Sequence, residues 1–411
     1  MISLKMNDTT KLNIFDILII LAIVFQDAGN FGILPLNFFQ LVMILILCLF
    51  GIKMIIDKKL VIPYRVLVLI AYVVFITLIN IHDFESIKSV GYYGIHMVAI
   101  ALYLMYTDNR AKLCKVLYYS ASILTIYGIL QEFGYILGIS AIYDPTVWGF
   151  YRFIPIPLFQ GTIRIWSLYS EPAHLAGILC IGILIGLLGI EDKSHEFDFT
   201  NKIITFLMFV VIMAGVSATA YVGLVVTLIT WLLISDIGRK YKAYAVAGFV
   251  GLFGAVFIIF RDIFYSIVVY RIAGLISEYN IVGNGTTFAI ISNFRVALLK
   301  MKELGIFGTG MDSNRIWYYD YVDRIYGADA IYMNADDAAS VFTRVFSEFG
   351  IIGFILLAAL IVYMIIKGVK NKDKFLMIMV ALFIIEGMRD GTYVNVVLSI
   401  PFAYFIGLIA L

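Results

Sequence analysis

An all-α, polytopic membrane protein is the fold class the sequence predicts. Three observations predict it: the composition, the spacing of the apolar runs, and the side on which the lysines fall. Of the 411 residues, 62% are hydrophobic and 14% charged, and the mean hydropathy is +0.98. A soluble domain carries roughly 25% charged residues. So much apolar surface cannot be hidden in water, and residues 1–411 read as one integral membrane domain with the lipid bilayer as a partner. The formal net charge of +2 gives no signal for a nucleic-acid partner. Placement of the charges matters more than their sum. Cys48, Cys114 and Cys180 lie far apart, in or beside apolar segments, and read as packing residues. There is no CxxC or HExxH and there are four histidines, so no metal and no cofactor is expected.

A helical span needs roughly 20 mostly apolar residues. On that rule the first five helices fall near Leu12–Asp27, Leu34–Ile56, Ile62–Ile81, Val90–Tyr106 and Leu113–Ile139. Four more follow near Ala173–Ile190, Ile203–Ala218, Ala220–Ile237 and Ala243–Phe260, and the last three near Ile351–Ile366, Phe375–Gly387 and Val394–Leu411. Lys5 and Lys11 ahead of the first run imitate a signal peptide, but no small-x-small cleavage site follows, and the run reads as a helix that stays in the membrane. The division within Ile203–Ile237 needs an argument. One helix there would be about 50 Å long, against a hydrocarbon core of about 30 Å. The small, polar stretch from Gly215 to Tyr221 is the natural turn.

Charge placement supports that split. One set of connections carries Lys53, Lys58, Lys59 and Arg65; Arg110, Lys112 and Lys115; Lys193 and Lys202; Arg239, Lys240 and Lys242; and Lys367, Lys370, Lys372 and Lys374. The alternate short connections carry Lys88, Arg152, Arg164 and Arg389. The positive-inside rule then predicts about twelve helices with both termini in the cytoplasm. Two long connections face outward, a medium loop over 140–172 and a long one over 261–350. Cations on that outer face are mostly arginine: Arg152, Arg164, Arg261, Arg271, Arg295, Arg315, Arg324, Arg344 and Arg389. Topology would accept lysine equally, whereas arginine suits a site where a planar fork grips carboxylate or phosphate oxygens. The plain alternative is that these arginines pair with the loop's own acids, Asp262, Asp312, Asp320, Asp323, Asp329, Asp336 and Asp337.

Within the long loop, Ile291, Phe294, Leu298 and Met301 repeat at helical spacing over Phe288–Leu304, with Ser292, Arg295 and Lys302 turned elsewhere. This predicts an interfacial helix along the outer surface. Asp262–Ile276 either extends the ninth helix or re-enters the membrane. The aromatic and acidic part from Asp312 to Asp337 is expected to form a lid or an acceptor surface.

The medium loop ends in Ser170-Glu171-Pro172, which opens the sixth helix; proline is favoured in a first turn, where its missing N–H is no loss. The free N–H groups and positive dipole end of that helix point outward, with Arg164 just ahead, and together they would seat a phosphate at headgroup level. Glu171 and His174 share a face, and either is suited to take a proton from a hydroxyl. The alternative is a capped helix with Glu171 paired to Arg164.

The run from Arg164 to Ala176 resembles the R…EP region of the bacterial O-antigen and capsular polysaccharide polymerases of the Wzy type. Ser217-Ala-Thr-Ala-Tyr-Val-Gly223 is similar to the small-polar helix start that follows in that family. The stretch from Arg295 to Gly308-Thr-Gly310 resembles its arginine-led helix ending in a G-x-G turn. Phe346-Ser-Glu-Phe-Gly-Ile-Ile-Gly353 resembles the E-x-G-I-I-G start of the helix after the large loop. The related O-antigen ligases carry a His-Asn pair shortly before that last motif. Here Ala339-Ser340 stand at that place, preceded by Asp336-Asp337, which favours a polymerase over a ligase.

The resemblance implies that a growing glycan on undecaprenyl pyrophosphate is transferred to the terminal sugar of an incoming lipid-linked repeat unit. It implies a site on the extracytoplasmic face of the bacterial cytoplasmic membrane, and a chain-length regulator (co-polymerase) and a flippase as partners. Under this reading Arg164, Arg271 and Arg295 grip the pyrophosphates. Glu171 is the first choice of base, with Asp336, Asp337 and His174 behind it. A flippase for lipid-linked oligosaccharide is the rival of another class. It calls for ionisable residues at mid-membrane, whereas the charges here gather in two outer loops.

Overall fold

The structure, a computed structural model, describes residues 11–28, 36–80, 83–107, 109–148, 157–159, 161–191, 199–259, 261, 285–327 and 332–408. Among them the fold is all-helical but for two short strands. The helices are α1 (Ile14–Val24), α2 (Phe38–Ile56), α3 (Tyr64–Ile79), α4 (Phe84–Thr107), α5 (Arg110–Ile136) and a single turn, α6 (Ser140–Tyr143). Strands β1 (Pro157–Phe159) and β2 (Thr162–Ile163) form an antiparallel pair. Then come α7 (Pro172–Glu191), α8 (Phe199–Ala214), α9 (Ala218–Ile234) and α10 (Arg239–Ile259). The series ends with α11 (Gly285–Leu304), α12 (Asn314–Tyr326), α13 (Val341–Asn371), α14 (Lys374–Gly387) and α15 (Val396–Leu408).

Each expected apolar run is a helix, and α8 and α9 part at Gly215–Ser217, where the small, polar residues predict the turn. Among the described residues, five helices, α2, α4, α5, α7 and α13, are long and apolar enough to cross a membrane. Helices α1, α3, α8, α9 and α15 are apolar and shorter. The start of α7 at Pro172 agrees with the first-turn reading of that proline.

The chain forms two compact units. The first comprises Met1–Ile46, Tyr103–Ile267 and Ile365–Glu386. Its centre is α7, of whose twenty residues sixteen are buried; a helix apolar all round belongs in an interior. Gly182 lets α5 and α8 close on it, since a Cβ there would lie 2.7 Å from Ala121 Cβ and from Met208 Sδ. Cys114 and Cys180 are buried in this packing. The second unit comprises Leu47–Leu102, Val268–Met364 and Gly387–Leu411. Here Val296 of α11 packs on Tyr318, Tyr321 and Val322 of α12 and on Ala335. Helix α12 occupies part of the stretch Asp312–Asp337 that is expected to form a lid or an acceptor surface. Of the aromatic rings there, Tyr318 and Tyr321 are buried against α11, whereas Tyr319 and Tyr332 are exposed.

Within each unit, polar pairs join helix ends that the lysine pattern places on one side. In the first, Asp16 is buried against Lys112 (2.7 Å) and Tyr103 Oη (3.0 Å). Arg110 pairs with Asp373 (2.8 Å), and Lys374 with Asp236 (3.1 Å). In the second unit, Arg65 at the start of α3 donates to Gly407 O near the end of α15. These are all ends assigned to the lysine-rich face. Ends assigned to the opposite face meet in the two clusters described next.

Candidate functional site

The first cluster lies in the first unit, where the medium loop runs into α7. Residues 163 and 165–169 are buried without being helical. Irregular backbone tolerates burial only where its polar groups find partners. Gln131 of α5 supplies several: its Oε1 accepts from Trp166 N (3.1 Å) and Ser167 N (2.9 Å), and its Nε2 donates to Tyr143 O (3.1 Å). Ser167 Oγ donates to Leu124 O (2.7 Å), and Tyr169 Oη to Ile23 O (2.9 Å). Arg164 donates from Nε to Gly215 O (2.8 Å) and from Nη2 to Val216 O (3.1 Å). It ties the loop to the end of α8, whose last carbonyls lack intrahelical donors.

At the mouth of this loop a carboxylate that sequence reasoning missed joins the expected residues. Asp27 Oδ2 accepts from Ser170 N (2.6 Å) and Ser170 Oγ (2.7 Å). The same oxygen lies 3.9 Å from His174 Nδ1, and Ser170 Oγ lies 3.4 Å from that nitrogen. Glu171 opens α7, its carbonyl accepting from His174 N (3.1 Å) and Leu175 N (3.4 Å). His174 thus stands beside a carboxylate and a hydroxyl, a setting suited to proton exchange with a substrate hydroxyl. Asp27 and Ser170 stand 143 positions apart, and no periodicity links residues so separated.

The second cluster lies in the second unit and joins two of the stretches on which the family resemblance was based. Thr309 N and Gly310 N both donate to Glu348 O, at 3.0 and 2.9 Å. Gly350 breaks α13 with φ 65° and ψ −169°, so that the chain over 306–310 lies against 348–350. No side chain fits between: a Cβ on Gly350 would lie 2.1 Å from Ile306 O, and one on Gly308 2.4 Å from Glu348 O.

Charges pack behind this joint. Arg344, 6% exposed, donates to Glu348 Oε1 (3.1 Å), Asp312 Oδ1 (3.0 Å) and Gly391 O (3.0 Å), and its guanidinium lies 4.4 Å from the centre of the Tyr393 ring. Asp312 also accepts from Arg315 Nε (3.1 Å) and Ser89 Oγ (3.0 Å), and Arg315 reaches on to Asp83. Burial alone would raise the Asp83 carboxyl, but the Ser86 N–H and hydroxyl and the Arg315 guanidinium outweigh it and hold it below its ordinary range. Arg324 pairs with Glu303 (2.5 Å) and lies 3.9 Å from Asp320. For Arg315, Arg324 and Arg344, then, the loop's own acids are partners.

Of the other expected residues, Arg295 lies in α11 with its guanidinium 5.7 Å from the centre of the Tyr326 ring. Asp336 is exposed. Asp337 Oδ1 accepts from Asn334 Nδ2 (2.9 Å) and Ala339 N (3.0 Å), holding the turn that leads into α13. Arg271 and Asp262–Ile276 lie outside the described residues. Among the described residues no cluster of three or more His, Cys, Asp or Glu has the arrangement of a metal site.

Lys300 is the other group that sequence reasoning missed. Its Nζ, inside the unit, donates to Ser347 Oγ (2.9 Å), which donates to Asn314 Oδ1 (2.6 Å). Burial pushes the ammonium down to about 7, against the upward pull of Glu348. An unfolded lysine titrates near ~10.4. Between those values the unfolded chain holds a proton that the folded one lacks, so stability rises with pH across that window. Lys300→Met is expected to flatten this rise, measured as the midpoint of denaturant unfolding at pH 6.5 and pH 9.5. An unchanged pH slope in the variant would show that Lys300 is not its source.

In comparisons with known proteins, no family model matches the chain, and no curated protein matches it.

Proposed function

We propose that this protein is a membrane-embedded polysaccharide polymerase, transferring a growing glycan from undecaprenyl pyrophosphate to an incoming lipid-linked repeat unit. The observation that carries the reading is the joint between Gly308–Gly310 and Glu348–Gly350. Two stretches that resemble polymerase motifs, 38 or more residues apart in the chain, close on each other through paired backbone hydrogen bonds. The joint anchors the far end of α11, the helix that carries Arg295.

The chemistry asks for little else. An acceptor hydroxyl gives its proton to a base, its oxygen bonds to the anomeric carbon of the growing glycan, and the bond from that carbon to the pyrophosphate oxygen breaks. Undecaprenyl pyrophosphate departs with the electron pair. Because the leaving group is already good, fixed positive charge near the developing negative charge is the main requirement. Arg295 and Arg271 are the residues assigned to it in this reading, with Arg164 bracing the loop that presents Glu171 and His174. Either of those two takes the proton, and the geometry of Asp27 favours His174. In this reading both termini are cytoplasmic, and a chain-length regulator and a flippase act beside the polymerase.

Arg295→Ala, present in the membrane at the wild-type level, is expected to abolish long glycan chains while single repeat units persist, read as the ladder of surface glycan on a gel. Full-length polymer from that variant would remove Arg295 from the site.

A further inference from the structure

Helix α11 leaves large apolar side chains exposed while burying polar ones beside Ala289, Val296 and Ala297. Its inward face carries Ser292 and Asn293, both 0% exposed, and Lys300 at 2%, whereas Phe294 and Leu298 are 48% and 40% exposed. The inward polar groups are satisfied: Asn293 Nδ2 donates to Ala289 O (2.8 Å) and Met333 O (3.0 Å), Ser292 Oγ meets Tyr318 Oη (2.9 Å), and Lys300 reaches Ser347. The outward apolar arc continues past the helix end through Leu304, Ile306 and Phe307, the last 64% exposed. An exposed arc of large apolar residues is unfavourable against water, since it gains nothing from folding. It is favourable against hydrocarbon.

We infer that α11 and the turn after it lie in the outer interface of the bilayer, with Phe294, Leu298, Leu304, Ile306 and Phe307 set among lipid acyl chains. Continuity identifies the occupant. Phe294 stacks on Phe346 (6.0 Å between ring centres), and Phe346 meets Phe354 edge-on (5.6 Å). Beyond Gly350 the same stretch of chain exposes Ile355 and Leu356 on α13, a helix apolar and long enough to span. The apolar surface of α11 thus runs into that of a span. Lys302 is exposed at the end of α11, one turn beyond Leu298, at the level suited to lipid headgroups. Helix α11 differs from the spans in its buried Ser292 and Asn293 and its Arg295, Lys300, Lys302 and Glu303, which suit a helix lying along the interface rather than crossing it. The inference holds whether or not the chain polymerises glycans.

Nitroxide labels at Leu298→Cys and Phe307→Cys, each in the full chain with exposed Cys48→Ala and reconstituted in bilayers, test this. Power saturation is expected to show both labels open to oxygen and closed to a water-soluble nickel chelate, at a depth of about 5–10 Å below the phosphates. A label at Glu303→Cys is expected to be open to the chelate. Chelate access at 298 and 307 equal to that at 303 would overturn the assignment. So would spin–spin broadening at 298 that disappears on dilution with unlabelled protein, because a second copy would then be the occupant. Both labelled positions are solvent-exposed on the protein, so neither substitution opens the core.

Discussion

Gly350→Ala is expected to unfold the outer part of the second unit or to leave it far less stable than the wild type. Two independent costs fall on the same methyl group. The backbone there has φ 65° and ψ −169°, a region that is essentially glycine-only and costs other residues about 1–3 kcal/mol. The added Cβ would also lie 2.1 Å from Ile306 O and 2.6 Å from Gly308 N, backbone atoms that cannot rotate aside. Overpacking of this kind adds about 1–3 kcal/mol. To relieve it, the chain over 306–310 must move away, which breaks the hydrogen bonds from Thr309 and Gly310 to Glu348 O.

Gly305→Ala separates the two costs. Gly305 also has positive φ, 98°, but nothing lies within 4 Å of its missing Cβ. It is expected to lose only the conformational part, about 1–2 kcal/mol. The comparison is read as the denaturant midpoint of the two variants in one detergent, together with surface glycan length. Equal midpoints would mean that the joint between 306–310 and 348–350 contributes nothing. A large loss at 350 with a small one at 305 is the expected pattern, and the 350 variant is expected to lose long glycan chains as well.

The helices were legible in the sequence because an apolar run of span length leaves the backbone one solution, to hydrogen-bond within itself. The break at Gly215–Ser217 was legible for the same reason: one helix there would overrun the bilayer. The loops were harder. Helix α12 was hidden because its buried rings, Tyr318 and Tyr321, stand among Trp317, Tyr319 and Tyr326 in an aromatic run that reads equally well as an interface belt. The apolar face of α11 was legible from Ile291, Phe294, Leu298 and Met301, but the polar groups buried opposite it were not. Periodicity gives the stripe, whereas the burial of Asn293 and Lys300 comes from partners at Met333 and Ser347 that are distant in sequence.

The arginines divide along a similar line. That outer cations are arginine rather than lysine was visible at once, yet sequence alone could not say which grip protein and which are available to substrate. Arg344 reaches Gly391 O and the Tyr393 ring across some fifty residues, and Arg315 reaches Asp83 across more than two hundred. Arg164 is held by the carbonyls of a buried turn, Gly215 and Val216, which have no intrahelical donor because α8 ends there. Asp27 was overlooked because it sits one turn past α1, where a lone carboxylate ordinarily means a solvated helix end. Its contacts with Ser170 and His174 come only from tertiary packing, in which α1 lies beside α5.

The direct measurement is the length distribution of surface glycan in a strain from which the gene is deleted, with and without the gene returned. Loss of long chains with a single repeat unit still at the surface, restored by the returned gene, is the predicted result. An unchanged ladder, or the loss of all surface glycan including the single repeat, would contradict it.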